Sequence, residues 1–195
     1  MKLSISNIGW DEQNKSEIYE FLQEKQFDAI EIAPTILIKE NPYDNIEIAK
    51  EITDKLSKKY NLKISSMQSI WFGKTENIFD EKGAEELANY TKKAIDFAVA
   101  IKCNNLVFGC PKNRIMPEDK SVEDSISFFR EIGEYANLKN TIVALEANPT
   151  IYGTNFINRT EEAFELAKKI NSERNKSKCG FWNNNTKRRR FTNHF

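Results

Sequence analysis

The chain has 195 residues, enough for one domain with a sizeable core, and its 39% apolar and 30% charged content is that of a soluble globular protein. No apolar run approaches the roughly 20 residues a bilayer crossing needs. The start, MKLSISNIGWDEQ, lacks the basic end, apolar run and cleavage site of a signal peptide, so a cytoplasmic protein with no membrane partner is expected. The formal net charge of zero hides a division: residues 174–195 hold seven Lys or Arg and no acid, against 22 basic and 29 acidic residues before them.

In chain order, LSISNI at Leu3–Ile8 reads as a strand, and Ser16–Phe27 as a helix with Ile18, Phe21 and Leu22 at helical spacing and Ser16 as N-cap. AIEIAP is a strand ended by Pro34, followed by a helix over Asn45–Tyr60 and a strand over Lys63–Ser69. Ala84–Ile101 is the strongest helix, with Leu87, Tyr90, Ala94, Ile95, Phe97 and Ala98 on one broad face. NLVFG is a buried strand, and Ser121–Leu138 a helix with Ile126, Phe129, Ile132 and Tyr135 inward. TIVALEA is a strand, and Thr160–Ile170 a helix with Thr160 as N-cap. Cys103 and Cys110 adjoin apolar segments and read as small core residues; with Cys179 they form no CxxC and no disulfide framework.

Five strand-then-helix units imply a parallel sheet covered by helices, either an open doubly wound sheet or a (β/α)8 barrel. No GxGxxG or Walker pattern follows the first strand, which weighs against the open nucleotide-binding sheet. Polar side chains recur where strands end: Asn7, Glu31, Gln68, Cys110 with Lys112 to Arg114, and Glu146 with Asn148. That is the face where barrels build active sites, so an incomplete (β/α)8 barrel with about five of eight units is expected over residues 1–173.

Three phrases, LEANPTIYGTNFINRTEEAFEL, SSMQSIWFG and LVFGCPKNR, carry a resemblance to xylose isomerase-like TIM barrels, in the sugar phosphate isomerase/epimerase group. The resemblance runs from Met1 to about Ile170. It implies that the Glu of the LE dipeptide, Glu146, ligates a divalent cation (Mn, Mg or Co) and serves catalysis. An Asp, a His and a second Glu on later strands complete that ligand set. It implies a sugar or sugar-phosphate substrate and proton transfer beside a carbonyl, in which the cation stabilises an enediolate and a carboxylate shuttles the proton. Candidate substrate-binding residues are Trp71, which with Phe72 offers a ring to stack on a sugar, and Lys112 and Arg114, which suit a phosphate. Asn148, Tyr152 and Asn155 follow in the loop after Glu146.

The basic segment over residues 174–195 has no such pattern and is expected to be disordered. Back-translated with A/T-rich codons and read one base later, it yields an alternating apolar run ending in Asp-Phe-Gly, so a frameshift near residue 173 is expected to have truncated the family sequence. The resulting chain is expected to be inactive and to bind no cation. Two other readings stay open. An endonuclease IV-like DNA repair barrel shares the superfamily, although the acidic body and its lack of histidine weigh against specific nucleic-acid binding. A non-catalytic fragment whose tail binds anions without specificity is the other. Oligomeric state is not legible in the sequence.

Overall fold

The computed structural model of the chain describes residues 2–172 and 181–183. In order these are β1 (Ser4–Ser6), α1 (Lys15–Glu24), β2 (Ala29–Ile32), α2 (Pro34–Leu37), α3 (Ile46–Tyr60), β3 (Lys63–Met67), α4 (Glu81–Ala100), β4 (Asn105–Phe108), α5 (Ile126–Leu138), β5 (Ile142–Leu145), α6 (Thr160–Ser172) and β6 (Phe181–Asn183). Each strand pairs in parallel with the next, in the order β1-β2-β3-β4-β5-β6. A doubly wound sheet reverses direction at a switch point. This one does not. The fold is α/β, a partial TIM barrel.

Within the segment expected to form the unpatterned tail, Phe181–Asn183 lies alongside β5 as β6. The rest of that segment lies outside the described residues. No helix among the described residues is long and apolar enough to cross a membrane.

Strand alternation divides the sheet into two faces. Ile30, Ile32, Leu106, Phe108, Val143 and Leu145 pack into one continuous core with the helices. Ala29, Glu31, Asn105, Val107 and Ala144 alternate with them on the opposite, inner face. The ladder between β2 and β3 slips once: Ile30 pairs with Ile64, but Glu31 pairs with Ser66. Ser65 is the extra residue, and its hydroxyl donates to the Ile30 carbonyl at 3.1 Å.

Local chemistry sets the element ends. Asp80 caps α4 by accepting from the Gly83 amide at 2.7 Å. Ser121 and Asp124 form a reciprocal capping box on the turn that leads into α5. Asn61 closes α3 in the left-handed region, at φ 56°. Pro34 ends β2 as expected and also opens α2, where its missing N–H costs nothing. Two expected caps differ: Ser16 lies inside α1, whose N-cap is Asn14, and Thr160 is the first helical residue of α6.

A chain of rings, two contacts edge-on and one stacked, runs under the C-terminal ends of the middle strands. Trp71 meets Phe108 at 4.7 Å, Phe108 meets Phe129 at 5.0 Å, and Phe129 stacks parallel to Phe156 at 6.2 Å. These rings are buried and give the strand mouths a rigid floor.

Candidate active site

Glu146 follows the last residue of β5. Its amide donates to the Phe108 carbonyl at 3.0 Å, so its peptide continues the parallel ladder. Because Val143 and Leu145 face the core, alternation turns Glu146 to the inner face. The residue is exposed there. Gly109, one step past β4, lies alongside: a β-carbon on it would stand 2.8 Å from Glu146 Oε2. The same oxygen accepts from Asn148 Nδ2 at 3.3 Å. A carboxylate thus sits at the C-terminal mouth of the sheet, with space kept open by a glycine and one amide beside it.

Beneath it lies Arg114, on the 3-10 turn Pro111–Arg114 that follows β4. Cys110 starts that turn in the left-handed region, at φ 39°. Arg114 is 0% exposed. Its Nη2 donates to the Glu146 carbonyl at 3.0 Å and to Asn148 Oδ1 at 2.6 Å. Its guanidinium carbon is 5.9 Å from the centre of the Phe108 ring, and Thr154 Oγ1 donates to its carbonyl at 3.3 Å. Among the described residues Nε and Nη1 find no acceptor, and both are buried. Burial lowers the Arg114 pKa to about 10, opposed by Cys110 and Glu146, so the group stays charged at neutral pH. Burial pushes the Cys110 thiol up to about 12, which leaves it protonated and unsuited to act as a nucleophile.

A second polar group lines the mouths of the first three strands. Glu31 accepts from Ser66 Oγ at 2.6 Å and from Gln68 Nε2 at 2.9 Å, and Gln68 Nε2 also contacts Ser6 Oγ. Asn7, buried, accepts from the Ala33 amide at 2.8 Å and ties the end of β1 to that of β2.

Several expected binding roles are corrected. Trp71 is 2% exposed; its indole donates to Thr91 Oγ1 at 2.8 Å and its ring packs on Phe108 and Phe128, so it supports the site from below. Arg114 is 0% exposed beneath Glu146, away from the surface position expected for it. Asn155 spends its amide on the Met116 backbone, accepting at 2.7 Å and donating at 2.8 Å, and so clamps two loops. Asn148 is buried between Arg114 and Glu146, within the site. Lys112 and Tyr152 are exposed on loops that follow β4 and β5, as is Phe72 on the loop after β3. Gly109 was not among the expected residues; the only hint was a Gly directly after an apolar strand.

A parallel strand order without reversal, with an acid at a strand's C-terminal end, defines a barrel of the (β/α)8 class. The chain belongs to the xylose isomerase-like TIM barrel family, whose model matches residues 19–177. No curated protein matches the chain. Among solved structures it is similar to a D-tagatose 3-epimerase-like protein, at 21% identity and a TM-score of 0.65, covering 89% of this chain and 62% of that one. It is similar to a D-allulose 3-epimerase from Methylomonas sp. in complex with D-allulose, at 16% identity and a TM-score of 0.64, covering 93% of this chain and 62% of that one. It is also similar to an AP endonuclease, family 2, from Brucella melitensis, at 19% identity and a TM-score of 0.63, covering 88% and 65%. The chain therefore spans less than two thirds of the length of these three structures.

Proposed function

We propose that the chain represents a metal-dependent sugar or sugar-phosphate isomerase or epimerase, working by proton transfer beside a carbonyl through an enediolate. The observation that carries this reading is the Glu146 carboxylate, exposed at the end of β5 and given room by Gly109. The epimerases among the similar structures support it as fold relatives.

Glu146 fits one position of a hard-cation site: it is a carboxylate, it is solvent-accessible, and among the described residues only a long hydrogen bond engages its Oε2. Among the described residues no group of three His, Cys, Asp or Glu side chains comes together to hold an ion. The family resemblance assigns the other ligands to later strands. A bound cation would polarise the substrate carbonyl and stabilise the negative charge that develops on its oxygen. The chain's own residues begin the proton transfer. Glu146 takes the proton from the carbon beside the carbonyl, with Asn148 Nδ2 steadying Oε2, and an isomerisation follows when it returns that proton to the neighbouring carbon. An epimerisation requires a second acid on the opposite face, the role left to the second Glu that the family resemblance assigns to a later strand. Lys112 and Tyr152 are exposed on the loops after β4 and β5, and we assign them to a phosphate or a sugar hydroxyl.

One carboxylate alone holds a catalytic cation poorly, so the 195-residue chain by itself is expected to give no turnover with any divalent metal. The test assays this chain, and a chain extended by the later βα units, on a panel of ketoses and ketose phosphates with Mn, Mg and Co. Turnover by the extended chain, lost in Glu146→Gln, is the expected result. Metal-dependent turnover that survives Glu146→Gln would reject the assignment.

A further inference from the structure

We infer that Arg114 is a positioning residue: acting through Asn148, its buried guanidinium fixes how the Glu146 carboxylate is held at the strand mouth. The inference rests on reading Glu146 as the reactive carboxylate, but its test does not use turnover.

The argument begins with donor and acceptor chemistry. A guanidinium can only donate. The Asn148 atom 2.6 Å from Arg114 Nη2 must therefore be the carbonyl oxygen, Oδ1. That choice leaves Nδ2 as the end facing Glu146 Oε2, at 3.3 Å. A reversed amide would place two donors together at the arginine and point an oxygen at a carboxylate. Arg114 thus selects the one Asn148 orientation that attracts the Glu146 side chain. Its Nη2 also holds the Glu146 carbonyl at 3.0 Å, so backbone and carboxylate of the same residue are referred to one nitrogen.

The cost of keeping Arg114 points the same way. It is 0% exposed, its acceptors are neutral oxygens, and Nε and Nη1 have no partner among the described residues. A methionine or leucine would fill such a space with no unmet donors, and replacing buried charge by apolar side chains is often neutral or stabilising. What an apolar side chain cannot do is orient Asn148. Cys110 at φ 39° and the turn after it deliver Arg114 from the neighbouring strand, so the control of Glu146 crosses from β4 to β5.

The experiment compares side-chain NMR signals of the isotope-labelled 195-residue chain at one neutral pH. In Arg114→Met, the Asn148 side-chain amide pair is expected to shift and to lose its order, and the Glu146 carboxyl carbon to shift with it. Arg114→Lys retains a cationic donor group and is expected to restore the Asn148 signals in part. Asn148→Leu is expected to shift the Glu146 carbon while Arg114 stays in place. Cys103→Ala, a core change elsewhere, is expected to move none of these signals. Unchanged Asn148 and Glu146 signals in Arg114→Met would overturn the inference, as would equal shifts in Cys103→Ala. If Arg114→Met does not fold, Asn148→Leu decides: an unmoved Glu146 carbon rejects the relay. Loss of the isomerase reading would leave these signals as they are, so the two failures are told apart.

Discussion

Gly109 and the Glu146 carboxylate compete for one volume: a β-carbon on Gly109 would lie 2.8 Å from Glu146 Oε2. The neighbour is the far end of a flexible side chain, so the backbone need not move to relieve the clash. Gly109→Ala should therefore keep stability within about 1 kcal/mol of the parent, as conservative changes without buried strain do. It should displace the carboxylate, and in an extended, active barrel lower kcat more than KM. Urea unfolding checks the first outcome, and steady-state kinetics the second.

Glu146→Gln keeps the side chain's size and removes its charge. In an extended barrel it should lower turnover by at least the roughly 100-fold that a general base contributes. Since the residue is exposed, the unfolding midpoint should hardly change. Turnover near the parent level would move the proton-transfer role to another residue.

Trp71→Phe tests the corrected role of Trp71. The indole bond to Thr91 Oγ1 is lost, but that hydroxyl still donates to the Leu87 carbonyl at 2.7 Å, so no buried hydroxyl is stranded. The expected cost is about 1–2 kcal/mol, from one hydrogen bond and a small cavity. Binding of sugars by the extended barrel should be unaffected. A selective loss of sugar affinity at unchanged stability would return Trp71 to the binding surface.

Cys103 predicts an alkaline weakness. Burial raises its thiol from 9.0 to about 11, so between those values the folded chain keeps a proton that the unfolded chain has released. The stabilisation is complete below pH 9 and is lost as pH rises toward 11, on the order of 3 kcal/mol in all. Cys103→Ala should cost about 1–2 kcal/mol near neutral pH through its cavity. That gap should close as the pH approaches 11. Urea unfolding at several pH values measures it; parallel curves for the two proteins would contradict the buried-thiol account.

The alternation of strands and helices was legible because each helix carries its apolar residues at helical spacing and each middle strand is a short β-branched or apolar run. Glu146 was legible for the same reason, as an acid directly after an apolar strand. What the residues beside it do was not. Trp71 and Arg114 look like surface chemistry in one dimension, and only the fold turns the indole into the core and lays the guanidinium under β5. Nothing local to Asn155 reveals that its amide is matched to the Met116 backbone, since that partner lies on another loop. Gly109 escaped notice because its role is to leave a volume empty.

The single slip between β2 and β3 has consequences for how this chain can vary in length. Ile64 packs against the core and Ser66 bonds Glu31, although both are even-numbered residues of one strand. The unpaired Ser65 between them lets the two serve opposite faces in this chain. Deleting Ser65 would make Ile64 and Ser66 consecutive, and ordinary alternation would leave Ile64 on the core side and Ser66 beside Glu31 in one unbroken register. The strand would give up the Ser65 hydroxyl on the Ile30 carbonyl and no more. Loss of any paired residue of β3 would instead turn over every side chain on one side of the gap. A half-buried serine is thus the one place where this strand can shorten without exchanging its faces.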